Sequence, residues 1–197
     1  MSAIQQAEAE LAALGPLPFS IPLGRLAPAV EALFQAWPKG EWILAGPRER
    51  VGAILRGCPA ARLVDPAQGA RPYKLAPVGS RPASRALHAV GLALGAGAPV
   101  MCLLGAAGAA SGDLHEAFNL AVLTGAPVVF VYLDPPVSAD APLARQLAPA
   151  IEDLAAAFGI EAALLPLDAG SSQIGEALLA ARGRASQAPQ LLRLTLS

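Results

Sequence analysis

Two short, uncharged apolar runs constrain this chain more than any other feature. Val100–Leu104 and Val128–Leu133 are each too short for a buried helix and are rich in Val and Leu, as strands buried on both faces of a parallel sheet must be. Between them lie a Gly/Ala-rich turn, Gly105–Gly112, and an amphipathic segment, Asp113–Thr124; the second run stops at Asp134-Pro135-Pro136. The order strand, loop, helix, strand is a crossover unit. A loop at the carboxyl end of such a strand, feeding a helix, is where open α/β sheets bind their ligands.

The rest of the chain reads as further alternation. Helices are expected over Ser2–Leu14, Ala27–Trp37, Arg48–Arg56 with Gly57 as its cap, Ser84–Leu94, Leu143–Phe158 stopped by Gly159, and Ser172–Arg182. Short strands are expected at Trp42–Ala45, Ala61–Val64, Ala162–Leu165 and Gln190–Leu196, and irregular segments at Pro16–Gly24, Pro66–Pro82 and Pro136–Pro142. Pro149 is placed to split the Leu143–Phe158 helix or to start its second half. This pattern argues for a three-layer α/β/α architecture with a mainly parallel sheet. At 197 residues one domain is expected, burying roughly 70% of its unfolded surface, with residues 1–40 as a helical and irregular N-terminal segment and 41–197 as the sheet-bearing part.

Charged residues make up 15% of the chain and hydrophobic ones 54%, against roughly 25% charged in ordinary soluble domains. An apolar excess of that kind points to a face covered by another subunit. The net charge of −1, scattered Lys and Arg and 5% aromatic content leave no electrostatic footprint for nucleic acid. Cys58 and Cys102 form no ligand spacing, and Cys102 falls inside a strand, as a buried structural thiol would. Without a basic start and apolar core at the N-terminus, or an uncharged run near the roughly 20 residues of a membrane span, the expected location is the cytoplasm.

Within Asp113–Thr124, Leu114, Ala117, Phe118, Ala121 and Val122 follow helical spacing and make one buried face. His115, Glu116 and Asn119 fall on the other side, and as capping or interface residues they are unaccompanied by a nucleophile or a metal set. Ser111 is the candidate N-cap, with Asp113 in the first turn.

These residues resemble the α subunit of thiamine-diphosphate-dependent 2-oxoacid dehydrogenases, the E1 component. The family motif runs Gly-Asp-Gly-Ala, then Gly-Asp-(Phe/Leu)-His-Glu-Ala-(Leu/Phe)-Asn, then Pro-Val-Val-Phe-Val, and ends Asn-Asn. Gly112-Asp113-Leu114-His115-Glu116-Ala117-Phe118-Asn119 and Pro127-Val128-Val129-Phe130-Val131 are similar in order and spacing. The likeness extends to Leu87-His88-Ala89-Val90-Gly91-Leu92-Ala93, to Arg48-Glu49 with Arg56-Gly57, to Ala157-Phe158-Gly159-Ile160 and to Pro189-Gln190-Leu191-Leu192. It covers roughly residues 42–197, more weakly before 83, and the chain is short for an E1 α subunit. The resemblance implies a thiamine-diphosphate-binding fold, a loop at Gly105, Ala106, Ala107 and Gly108 that faces the cofactor, and Arg48 and His88 as candidate pocket residues. It also implies that the catalytic glutamate, which activates the cofactor, comes from a β chain.

The departures from the family pattern fall on the chemistry. The two side-chain oxygens that hold Mg²⁺ in the family are matched by Ala106 and Pro135, which carry none. A third, backbone ligand falls near Val137, the tyrosine beside Arg48 is matched by Pro47, and the phosphate-approach glycine by Ala107. Asp134 matches the first Asn of the closing pair, and strand alternation aims it away from the ion. The expectation is therefore a non-catalytic E1 α-like protein that keeps the fold and an association surface at His115, Glu116 and Asn119. It would bind neither metal nor cofactor and would pair with itself or with an E1 β-like chain. The alternatives are an active α subunit holding thiamine diphosphate and Mg²⁺ with a β chain, and a dinucleotide-binding domain using Gly105–Gly108 and Asp134.

Overall fold

The backbone hydrogen bonds of the apolar runs are satisfied by one another. In the computed structural model, which describes residues 1–15, 22–64, 69–77, 82, 84–134 and 147–195, β1 (Ile43–Leu44), β2 (Val100–Leu104), β3 (Val128–Asp134), β4 (Glu161–Pro166) and β5 (Gln190–Thr195) form one sheet in the order β1-β2-β3-β5-β4. Every pairing is parallel, with Met101 beside Val129, Phe130 beside Leu191 and Leu164 beside Arg193.

Strand alternation divides the core in two. Ile43, Met101, Leu103, Val129, Val131, Leu192 and Leu194 face one layer of helices: α1 (Ala3–Ala12), α2 (Ala27–Ala36), a 3₁₀ segment Glu49–Arg56, and α8 (Ser171–Ala185). Leu44, Cys102, Leu104, Phe130, Tyr132 and Leu191 face the other: α4 (Ser84–Ala96), α6 (Gly112–Thr124) and α7 (Ile151–Ala157). The chain steps from β1 to β2, β3 and then β4 in one direction with α4, α6 and α7 on the second face. It steps back from β4 to β5 with α8 on the first, the change of side that right-handed crossovers demand. The result is the expected three-layer α/β/α arrangement with a parallel sheet. Phe118 of α6 sets its ring edge-on against Phe130 of β3, with centroids 5.0 Å apart, a contact worth about 1 kcal/mol beyond its buried area.

Helix ends obey local chemistry. Ser2 and Gln5 close a reciprocal capping box on α1, and Gly57, Gly125 and Gly159 end their segments at positive φ. Arg56, 6% exposed, gathers the chain between α2 and β1 by donating to the carbonyls of Trp37, Pro38, Lys39 and Glu41 at 2.8–3.1 Å. Glu41 is then gripped by both the Nε and Nη2 atoms of Arg182 on α8. Ile4, Ala7 and Val30 share a core cluster with Ile43 and Val131, so the first residues of the chain pack on the sheet's own helical layer.

Three expectations are corrected. Ala61–Val64 is not a strand: Ala60–Val64 is a short helix, α3, because Ala-Ala-Arg-Leu favours helix and the strand position beside β1 is taken by Leu75, which bridges to Ile43. The turn after β2 is not open along its length, since Ala106–Ala109 coils into a four-residue helix, α5. The helix expected over Leu143–Phe158 is α7, starting at Ile151 after an extended Ala150; residues 143–146, like 16–21, 65–68, 78–81, 83 and the Pro136–Pro142 stretch, lie outside the described residues.

Candidate functional site

Because the strands are parallel, the segments leaving β1, β2 and β3 emerge along one edge of the sheet. After β2, Gly105 opens α5, and Ala109 N–H closes onto the Gly105 carbonyl at 3.0 Å. The Ala106 methyl is buried, Ala107 is exposed, and Gly108 is buried against the Pro82 carbonyl, which a Cβ there would meet at 3.3 Å. Gly108 therefore serves a close approach within the chain. Alanine supplies helix propensity and no oxygen, so this turn presents only backbone.

Ser111 N-caps α6 as expected, its Oγ accepting from Asp113 N–H at 3.2 Å. Leu114, Ala117, Phe118 and Ala121 are fully buried, but Val122 is 39% exposed. Eight residues rotate a helix 80° past two full turns, which carries Val122 out of the buried face. His115 and Asn119 are half-buried and Glu116 is exposed; the His115 Nδ1 lies 3.4 Å from the Ser111 carbonyl. With Leu123, 74% exposed, they leave a mixed polar and apolar outer face on α6.

At the end of β3, Asp134 is committed. Its Oδ1 accepts from the Tyr132 hydroxyl at 3.1 Å, and its Oδ2 accepts from Arg193 Nη2 at 2.8 Å. Arg193 also pairs with Glu152 of α7. Burial pulls the Arg193 pKa down, but the hydrogen bonds to Asp134 and Glu152 outweigh it and hold the guanidinium above its ordinary range. Burial, and then the Asp134 charge, push the Tyr132 phenol well up. Pro135 and Val137 lie outside the described residues.

Beside β1, Arg48 is half-buried and paired with its neighbour Glu49, Nε to Oε1 at 3.2 Å. Glu49 is 9% exposed, and its carboxylate lies against Gly46, where a Cβ would run into it and come within 3.2 Å of the Arg85 guanidinium. Arg85 Nη1 donates to the Leu103 carbonyl at 2.8 Å. The fold thus gathers Gly46, Arg48, Glu49 and Arg85 at the β1 and β2 ends. His88 lies one turn along α4 from Arg85 and is exposed. Gly46, Arg85, Arg193 and Glu152 were not singled out by sequence. The one local signal was Gly46-Pro47 ahead of two alternating charges, whereas the Arg193 contacts span 41 and 59 positions. Cys102, fully buried, has its thiol pushed up to about 12 by desolvation. Among the described residues, no group of three or more His, Cys, Asp or Glu side chains could hold a metal ion.

Comparison with known proteins matches this region to the dehydrogenase E1 component family over residues 76–133, the span from the end of the β1 edge through β3. Solved structures share the fold: a Pichia stipitis transketolase at 15% identity and a TM-score of 0.66, covering 98% of this chain and 35% of the other; a benzoylformate decarboxylase from Polynucleobacter necessarius at 16% and 0.56, covering 92% and 33%; and a Mycobacterium smegmatis protein assigned as a thiamin diphosphate-dependent enzyme at 20% and 0.57, covering 86% and 31%. The chain has the fold of thiamine-diphosphate-dependent enzymes, and within it the β2–α6–β3 unit resembles the dehydrogenase E1 component. It spans about a third of the length of these solved structures. A search of curated protein sequences returned no match.

Proposed function

We propose that this chain is a non-catalytic E1 α-like protein, retaining the thiamine-diphosphate fold as a scaffold for association. The observation that carries this reading is the turn after β2. The position that the family resemblance assigns to the metal-binding carboxylate is Ala106, whose methyl is buried in α5. The remaining candidates do not replace it. Both Asp134 oxygens are engaged by Tyr132 and Arg193, and Arg48, the candidate diphosphate ligand, is paired with Glu49. A diphosphate with Mg²⁺ needs several oxygen donors and unpaired cationic groups, and the described residues at this edge do not fit that requirement.

The association surface of this reading is the outer face of α6, where His115, Glu116, Asn119, Val122 and Leu123 lie, and its partner is an E1 β-like chain or a second copy. The chain has no helix among the described residues long and apolar enough to cross a membrane, and the reading carries a cytoplasmic location. An active α subunit would require Arg48 to leave Glu49. A dinucleotide-binding domain would require Asp134 to leave Arg193, and it has the α5 turn between β2 and α6. Isothermal calorimetry of the full chain with thiamine diphosphate and Mg²⁺ is expected to show no heat of binding. Micromolar binding, or 2-oxoacid turnover in a complex assembled with an E1 β-like chain, would overturn the proposal.

A further inference from the structure

The outer edge of β4 carries its own recognition pattern. Beyond the strand, Leu167 N–H still donates to the Thr195 carbonyl of β5 at 2.6 Å. In a parallel ladder successive residues point their amide groups to alternate sides, so positions 161, 163 and 165 bond to β5 while Ala162 and Leu164 aim theirs outward. Among the described residues nothing pairs with that side. The strand reads Glu-Ala-Ala-Leu-Leu-Pro, and Leu164 is 52% exposed. Exposed edges are ordinarily blunted by charged side chains, Pro or a bulge; β4 has these only at its two ends, Glu161 and Pro166, the latter removing one outward donor, and Ala162–Leu165 carries none.

We propose that β4 pairs with β4 of a second copy, antiparallel about a two-fold axis at Ala163, joining the two sheets into one. Directly opposed residues in antiparallel strands share a face, so the numbers of an opposed pair must sum to an even value, and a two-fold axis at Ala163 satisfies this. Ala162 then lies opposite Leu164 of the partner subunit, and Leu164 opposite the partner's Ala162. Each pair exchanges both of its outward N–H and C=O groups. A small side chain meets a large one twice on the α7 side, and the exposed Leu164 is covered. Centring one residue later would oppose Ala162 to the partner's Pro166, which has no N–H to return.

Charge favours the same arrangement. Arg184 stands at the amino end of β4, 3.4 Å from Glu161 and half-exposed, and the exposed Asp168 lies just past the carboxyl end. With Arg184 offset by Glu161, antiparallel pairing brings this mixed end toward the partner's Asp168 and keeps the two Asp168 carboxylates apart, where a parallel partner would set them together. The inference rests on neither the cofactor reading nor the α6 face.

Sedimentation of the full chain from about 1 to about 100 µM, with hydrogen exchange at both ends of that range, tests it. The chain is expected to dimerise, and the Ala162 and Leu164 amides to slow at least about tenfold with concentration while those of 161, 163 and 165 do not change. Leu164→Lys and Ala162→Pro are expected to weaken association at least about tenfold with unchanged circular dichroism, and Leu123→Glu on α6 to leave β4 pairing intact. A tetramer reduced to a dimer by Leu164→Lys would also support the pairing. The inference is overturned by a monomer at the top of the range, by association that survives both β4 variants, or by Ala162 and Leu164 amides that exchange freely where the chain is dimeric. Since hydrogen exchange is read on the unaltered chain, a variant that misfolds leaves the test standing.

Discussion

At β1 the chain closes its own sheet edge: Ile43 N–H donates to the Lys74 carbonyl at 2.8 Å and Ala76 N–H returns to the Ile43 carbonyl at 2.9 Å. At β4, among the described residues, the corresponding groups have no such cover. The difference follows from what each edge costs to finish internally. β1 has a segment at hand, residues 69–77, bent back by a 3₁₀ turn, Arg71–Tyr73, whose capping residue, Lys74, adopts φ 57° and lays its ammonium 5.0 Å from the Trp42 ring centroid. Since a left-handed non-glycine residue is strained, the closure of β1 is held against a local penalty by its hydrogen bonds and by packing. One edge therefore depends on tertiary clamps and the other, on the pairing proposed above, on a second copy, and substitutions should separate them.

The largest effect is expected at Arg56. Arg56→Ala leaves the carbonyls of Trp37, Pro38, Lys39 and Glu41 without their shared donor and is expected to cost about 3–5 kcal/mol, read as a fall in the urea midpoint. Arg56→Lys should recover only part, lacking the planar fork. Next comes the alkaline limb, which probes β2 beside the closed edge. Cys102 has a folded pKa of about 12 against 9.0 for a free thiol. Below pH 9 its contribution is fully present, and it is lost as pH rises toward 12, because the unfolded chain ionises first. Its slope is at most about 1.4 kcal/mol per pH unit, and Cys102→Ala should flatten the stability profile above pH 9. Smaller still is the strain at Lys74. Lys74→Ala and Lys74→Gly both lose the Trp42 contact, but glycine releases the left-handed penalty, so the glycine variant should melt higher by the equivalent of about 1 kcal/mol. At the other edge, Leu164→Lys should move stability by no more than about 0.5 kcal/mol at a concentration where the chain is monomeric. A large loss there would erase the contrast between the edges.

Much of the fold was legible because its signals are local. The uncharged runs at Val100–Leu104 and Val128–Leu133, Ser111 ahead of α6, and glycines at 57 and 159 each state a preference within a few residues. The site was legible by analogy, through Gly112–Asn119, and most of its contacts were not. His88 matches a family segment yet lies exposed, since helical position alone does not say which side meets the loop. Val122 matched the apolar spacing and is still exposed, because eight residues carry it about 80° round the helix from Leu114. Asp134 read as a vestigial ligand, whereas its fate depends on Arg193 and on Glu152 of α7.

By itself the sequence determined the alternation of strand and helix, the parallel sheet buried on both faces, and the absence of side-chain oxygen at Ala106. These follow from side-chain chemistry and periodicity, which act over a few residues. Tertiary structure alone decided the strand order with β5 between β3 and β4, the pairing of Asp134 with Arg193, the gathering of Gly46, Glu49 and Arg85, and which sheet edge is covered. Those outcomes depend on which distant segments meet, and a pattern within one segment carries no information about its neighbour across the sheet.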